Sequence, residues 1–160
     1  LVSNYLHSLD EGEHIEVYPP AGDFVLRESN CPVVFISAGV GQTPLLAMLQ
    51  SLLDKQPRQP IHYLHACDNA AQYAFKDYLL SEVNTHQGLS CFTWFKEGAG
   101  ADFTGLMDVA LLTEKLPLSD GAFYICGPIA FMALIKQQLV NLGVAAERIH
   151  YEVFGPHQSL

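Results

Sequence analysis

The chain has 160 residues, close to half of them apolar, with 17 acidic against 8 basic side chains and a net charge of −9. Its length suits one domain with a real core, and its charge argues against nucleic acid or anionic membrane as a main partner. No uninterrupted apolar run reaches the roughly 18 residues of a membrane span.

In chain order, Leu1-Val2-Ser3-Asn4 does not resemble a signal peptide and reads as a start inside a domain of a longer protein. Ser3 to Leu9 suggests a short helix. His14–Tyr18 and Phe24–Leu26, joined through Pro19-Pro20-Ala21-Gly22-Asp23, predict a β-hairpin or the closing strands of a barrel. Two strands alone are marginally stable, so residues 1–29 read as the end of an upstream β-domain and 30–160 as the domain proper.

From Cys31 the pattern changes to alternating strands and helices. Val33–Ala38 is a short apolar run rich in β-branched residues, as in a strand covered on both faces. Leu45, Leu46, Met48, Leu49, Leu52 and Leu53 then fall at helical spacing. Ile61–Ala66 predicts a second strand, Ala71–Val83 a helix and Leu89–Phe95 a third strand. Leu106–Leu116 predicts a helix capped near Thr104. Ala122–Cys126 is a fourth strand, Pro128–Leu142 a helix ended by Gly143, and Ile149–Phe154 a fifth strand. This alternation gives an α/β domain: a five-stranded parallel sheet of order 3-2-1-4-5 with helices on both faces. Ligands then sit at the carboxyl ends of strands one and four, where the strand order reverses.

Gly39-Val40-Gly41-Gln42-Thr43-Pro44 lies between the first strand and its helix. Glycine there permits a sharp turn and close approach to a phosphate, with Thr43 expected as N-cap and Pro44 at the first helical position. The helix amides and dipole then face an anion. Cys126-Gly127-Pro128 repeats the design after the fourth strand, with Phe131 and Met132 opening an apolar stripe. Cys126 suits either contact with a ligand ring or a place as a small buried hydrophobe. The other cysteines, at 31, 67 and 91, also lie in apolar stretches without zinc or iron–sulfur spacing, which points to reduced thiols and a cytoplasmic setting. His62 and His65 are three apart on a strand, face opposite ways and cannot share a metal, and no metal site is expected. Asp68 stands where dinucleotide folds read a ribose, which hints at NADH over NADPH, and a helix cap explains it equally well.

These turns, with the aromatic Phe154 near the end, resemble the ferredoxin–NADP⁺ reductase superfamily. Val2-Ser3-Asn4-Tyr5-Leu6-His7, Pro20-Ala21-Gly22-Asp23-Phe24 and Tyr151-Glu152-Val153-Phe154-Gly155-Pro156-His157 narrow the resemblance to the bacterial flavohaemoglobins, or nitric oxide dioxygenases. The resemblance implies that Gly39, Val40, Gly41, Gln42, Thr43 and Pro44 bind NAD(P)H and that Cys126, Gly127 and Pro128 border the nicotinamide. Ser3 matches a residue that contacts FAD, and Val153, Phe154, Gly155 and Pro156 match the segment against the isoalloxazine. Glu152 matches a glutamate that tunes flavin and haem potentials; its bland alternative is a solvent-facing strand carboxylate.

The implied reaction passes hydride from NAD(P)H to FAD and electrons to haem b, which turns nitric oxide and O₂ into nitrate. The partners implied are the chain's own FAD-binding and globin domains. Val153 departs from the cysteine of many relatives, and Gln158-Ser159-Leu160 from a more basic ending. The family's Arg-x-Tyr-Ser flavin motif and its globin domain are absent from this sequence. The fragment is therefore expected to bind no haem, and FAD poorly. Two other readings fit the same turns: a flavin reductase or oxygenase reductase component without globin, and a nucleotide-binding regulatory module without turnover.

Overall fold

The structure, a computed structural model, describes residues 2–55 and 58–153. Its elements are α1 (Val2–His7), β1 (Val33–Ala38), α2 (Gln42–Lys55), β2 (Ile61–Cys67), α3 (Lys76–Thr85), β3 (Leu89–Phe95), β4 (Phe103–Thr104), β5 (Ala122–Cys126), α4 (Ile129–Asn141) and β6 (Ile149–Tyr151).

The strands form one parallel sheet of order β4-β3-β2-β1-β5-β6. The expected order is present in β3-β2-β1-β5-β6, and the sheet has six strands rather than five. The extra strand, β4, is too short to show a period in the sequence. It joins the edge where Trp94 stacks on Phe103 with ring centroids 4.4 Å apart.

Strand alternation divides the core into two layers. Val34, Ile36, Leu64, Phe123 and Ile125 pack under Met132, Ile135 and Leu139 of α4. Val33, Phe35, Ile61, Tyr63 and Tyr124 pack under Leu45, Leu49, Leu52 and Leu53 of α2 and Leu79 of α3. All six residues of β1 are buried, as expected of a central parallel strand with helices on both sides. α4 ends as the sequence suggests. Gly143 takes φ +87°, the Val144 amide donates to Leu139 O and the Gly143 amide to Val140 O, a Schellman ending with Val144 buried beside Leu139.

Three expectations need correction. The hairpin over 14–18 and 24–26 does not form: these residues hold no strand, and Val17 and Tyr18 are exposed. A strand needs a ladder partner, and this stretch has none among the described residues; only Phe24 and Leu26 turn inward, onto the α2-side core. The helix over 106–116 shrinks to a 3₁₀ turn at Val109–Leu112, capped by Asp108 rather than near Thr104. There the Gln138 side chain takes over backbone pairing, accepting from the Val109 amide and donating to Met107 O. The helix over 71–83 breaks into a 3₁₀ turn at Ala70–Gln72 and the later α3, because Tyr73 leaves the helical path to stack inside.

Candidate functional site

β1 runs straight into a 3₁₀ turn, Gly39–Gly41, and α2 starts at the next residue. Gly39 has φ +53°, a left-handed conformation that disfavours side chains. Gly41 has a packing reason of its own to be glycine. A Cβ there would lie 2.6 Å from Gly127 N and closer still to the Cys126 carbonyl. Its missing side chain therefore admits the second turn. Gly127 completes the interlock, since a Cβ on it would meet the Phe131 ring at 2.9 Å and Ala38 at 3.2 Å.

The expected cap also differs. Thr43 lies inside the first turn of α2, where its hydroxyl donates back to Val40 O at 3.0 Å, and Pro44 is the third helical residue, not the first. Both still fall where the helix ladder needs no donor from them.

A cleft of about 500 Å³ opens over the carboxyl ends of β1, β2, β3 and β4. Ala38, Gly39, Asp68, Gln72 and Lys96 come from strand ends and the loops after them. Leu106, Pro128, Ala130, Phe131 and Leu134 make an apolar wall. The α4 residues among them belong to its first turns, so the positive end of that helix faces the cleft, and the amides of 129–131 have no partner within the helix. This is the crevice expected where strand order reverses between β1 and β5. A depression of similar size, about 510 Å³, lies at the opposite end, by Arg27 and the last turn of α2. It is lined by residues 26–30 and the end of α2, and no pair of turns converges on it.

Of the six turn residues expected to bind nucleotide, Gly39 lines the cleft, Val40 projects into solvent, Gly41 and Gln42 are buried, Thr43 is exposed and Pro44 is partly buried. Pro128 lines the cleft, Gly127 lies just behind it, and Cys126 has no exposed surface. Burial pushes the Cys126 thiol up to about 11, helped by the Glu152 carboxylate nearby, so it is a neutral thiol and no nucleophile. Glu152 lies just past β6, with an oxygen 3.7 Å from the Cβ position of Gly22. It thus sits between the 19–23 connection and the Cys126 turn. Val153 packs against the α4-side core. Ser3 lies on α1, none of whose residues is buried. Phe154, Gly155 and Pro156 lie outside the described residues.

Asn69, not Asp68, caps the turn after β2, accepting from the Ala71 amide at 3.0 Å. Asp68 is thereby left as a cleft residue. Sequence reading missed Gln72 and Lys96; Lys96 directly follows β3, and a cation at a strand's carboxyl end is the signal that marked it. It also missed that Ser37 and His65 form a buried pair, 2.8 Å apart. His62 bonds Ser90 on the opposite face. No cluster of metal-binding side chains occurs among the described residues, and none of their helices is long and apolar enough to cross a membrane.

Comparison with known proteins agrees with this geometry. The chain is 44% identical to a flavohemoprotein of Vibrio cholerae, a match that covers the whole chain and 40% of the relative. It is 45% identical to a flavohemoprotein of Pseudomonas putida, over 99% of the chain and 41% of the relative. The chain thus spans about two-fifths of the length of these curated relatives. A solved FAD/NAD-binding domain of nitric oxide dioxygenase from Vibrio cholerae superposes with a TM-score of 0.84 at 44% identity. That match covers 98% of this chain and 65% of the solved one. Residues 35–137, which hold both turns, the cleft and all but one strand, match the oxidoreductase NAD-binding domain family, and the chain belongs to it.

Proposed function

We propose that this chain is the NAD(P)H-binding part of a flavohaemoglobin reductase, with 30–160 as the nucleotide domain and 1–29 as the end of an FAD-binding domain. The cleft carries the reading: it joins a helix N-terminus, an apolar wall and two interlocked glycine turns at the point of strand reversal. Its size and chemistry fit a dinucleotide, with polar Asp68, Gln72 and Lys96 at one side and the apolar α4 surface at the other. The nicotinamide and flavin supply the redox chemistry, which in the intact protein runs from NAD(P)H through FAD to haem and the conversion of nitric oxide and O₂ to nitrate.

This chain's own part is positioning. Residues 39–44 and the first turn of α4 hold the pyrophosphate; Cys126, Gly127 and Pro128 border the nicotinamide, Cys126 from beneath as a neutral thiol. Glu152 lies beside that border and tunes the flavin, because a carboxylate there disfavours negative charge on it. Ser3 and the 153–156 segment are assigned to FAD binding, and the chain's partners are its own flavin and globin domains. Asp68 at the ribose position favours NADH, since a 2′-phosphate would meet its charge.

Ala130→Glu tests the reading without harming the fold. A carboxylate in the first turn of α4 suits the helix dipole but meets the dinucleotide's phosphates. In the full-length flavoprotein it is expected to raise the KM for NADH about tenfold, a cost of about 1.4 kcal/mol, with thermal stability unchanged. An unchanged KM removes this cleft as the nucleotide site.

A further inference from the structure

On the α2/α3 side of the sheet, one residue short of the cleft lining at Ala38 and Ala66, lies a pair that the reaction outlined above does not use. Ser37 of β1 and His65 of β2 face each other in register and are both fully buried. Ser37 Oγ donates to Leu64 O at 3.3 Å and sits 2.8 Å from His65 Nδ1. Whichever tautomer makes the Ser37 contact, Nε2 is left without a partner. A buried imidazole with an unsatisfied nitrogen costs free energy that an apolar strand residue would not.

The imidazole extends a ladder of rings. It stacks on Tyr73 at 5.0 Å and 21°, and Tyr73 meets Phe95 edge-on at 6.1 Å. No rung lines the cleft itself, but each is close in the chain to a residue that does. Ser37 precedes Ala38 and Gly39, His65 comes three residues before Asp68, Tyr73 follows Gln72, and Phe95 precedes Lys96. The loop carrying Tyr73 is held against its own preference, because Phe75 has φ +58°, a conformation unfavourable outside glycine. Burial keeps the imidazole neutral, so the Ser37 contact is a fixed hydrogen bond and not a charge switch.

We propose that His65, fixed by Ser37 and stacked on Tyr73, is a positioning residue that holds the 68–75 loop as the far wall of the nucleotide cleft. It sets nucleotide affinity and leaves the hydride step alone. This rests on the nucleotide reading of the cleft.

Anaerobic rapid mixing of the full-length flavoprotein with NADH separates the apparent Kd from the limiting rate of flavin reduction. Ser37→Ala and Tyr73→Leu are expected to raise Kd about 3- to 10-fold, the range of a lost aromatic stack. The limiting rate stays within about twofold in both, because the lost interaction is the same in ground and transition states. Tyr73→Phe keeps the stack and is expected to retain the wild-type Kd. An unmoved Kd in Ser37→Ala and Tyr73→Leu overturns the proposal. So does a limiting rate that falls in step with Kd, or a Tyr73→Phe variant as weak as Tyr73→Leu. If the wild-type protein shows no saturable reduction by NADH or NADPH, the nucleotide reading fails and takes the proposal with it. A saturating wild type with unmoved variants removes the proposal alone.

Discussion

Residues 2–29 and the sheet that follows carry similar local signals and meet different ends. Ile15 and Val17 alternate with polar residues as a strand would, yet both are exposed and pair with no strand among the described residues. Val33–Ala38 is hardly longer, yet it pairs on both sides and buries every residue. The difference is the partner. Backbone groups and apolar side chains are stabilised only when a neighbouring strand and a covering helix are present.

The largest expected effect lies where that partnering is tightest. Gly41→Val is expected to destabilise the chain by roughly 3 kcal/mol or more in denaturant unfolding, because its Cβ collides with backbone that cannot move aside. Gly39→Ala, which meets no atom within 4 Å and suffers only from its positive φ, is expected to cost about 1 kcal/mol. Equal losses at both positions would mean that the two turns are not interlocked.

An effect of similar size should follow pH. Burial lowers His65 from 6.5 to about 4. Above pH 6.5 both folded and unfolded chains hold it neutral, and it contributes no pH dependence. Between 6.5 and 4 the unfolded chain binds the proton and the folded one does not, so stability falls as pH falls. Each pH unit crossed in that window costs about 1.4 kcal/mol, and the full loss is about 3 kcal/mol. Urea unfolding at pH 7 and pH 4.5 measures it, and His65→Gln is expected to remove the steepest part. A slope unchanged in that variant would assign the dependence to other groups.

The smallest effect is expected at the other pole of the comparison. Tyr18 is 96% exposed, so Tyr18→Ser should change the stability of this chain by less than about 0.5 kcal/mol in thermal unfolding. A loss several times larger in a longer chain carrying the preceding domain would show that the segment finds there a partner it lacks among the residues described here.

Much of the domain was legible from residue types because its signals are local. Apolar spacing marks α2 and α4, β-branched runs mark the central strands, and Gly143 marks a helix end whose carbonyls need amides beyond it. The glycine turns were legible as turns and their position on the sheet as a crevice. Their separate duties were not. Whether Gly41 faces a phosphate or the Cys126–Gly127 backbone depends on a loop more than eighty residues away.

The sequence alone determined the strand and helix alternation, the order of the five main strands and the place of the cleft, because period, burial and right-handed crossovers leave few other solutions. Tertiary structure decided the rest. It broke the helix after β2 so that Tyr73 could stack on His65, withheld a hairpin from 14–26 for want of a ladder partner, and brought Lys96 and Asp68 to the cleft. Each outcome depends on contacts between residues distant in sequence, whose strength no local pattern encodes.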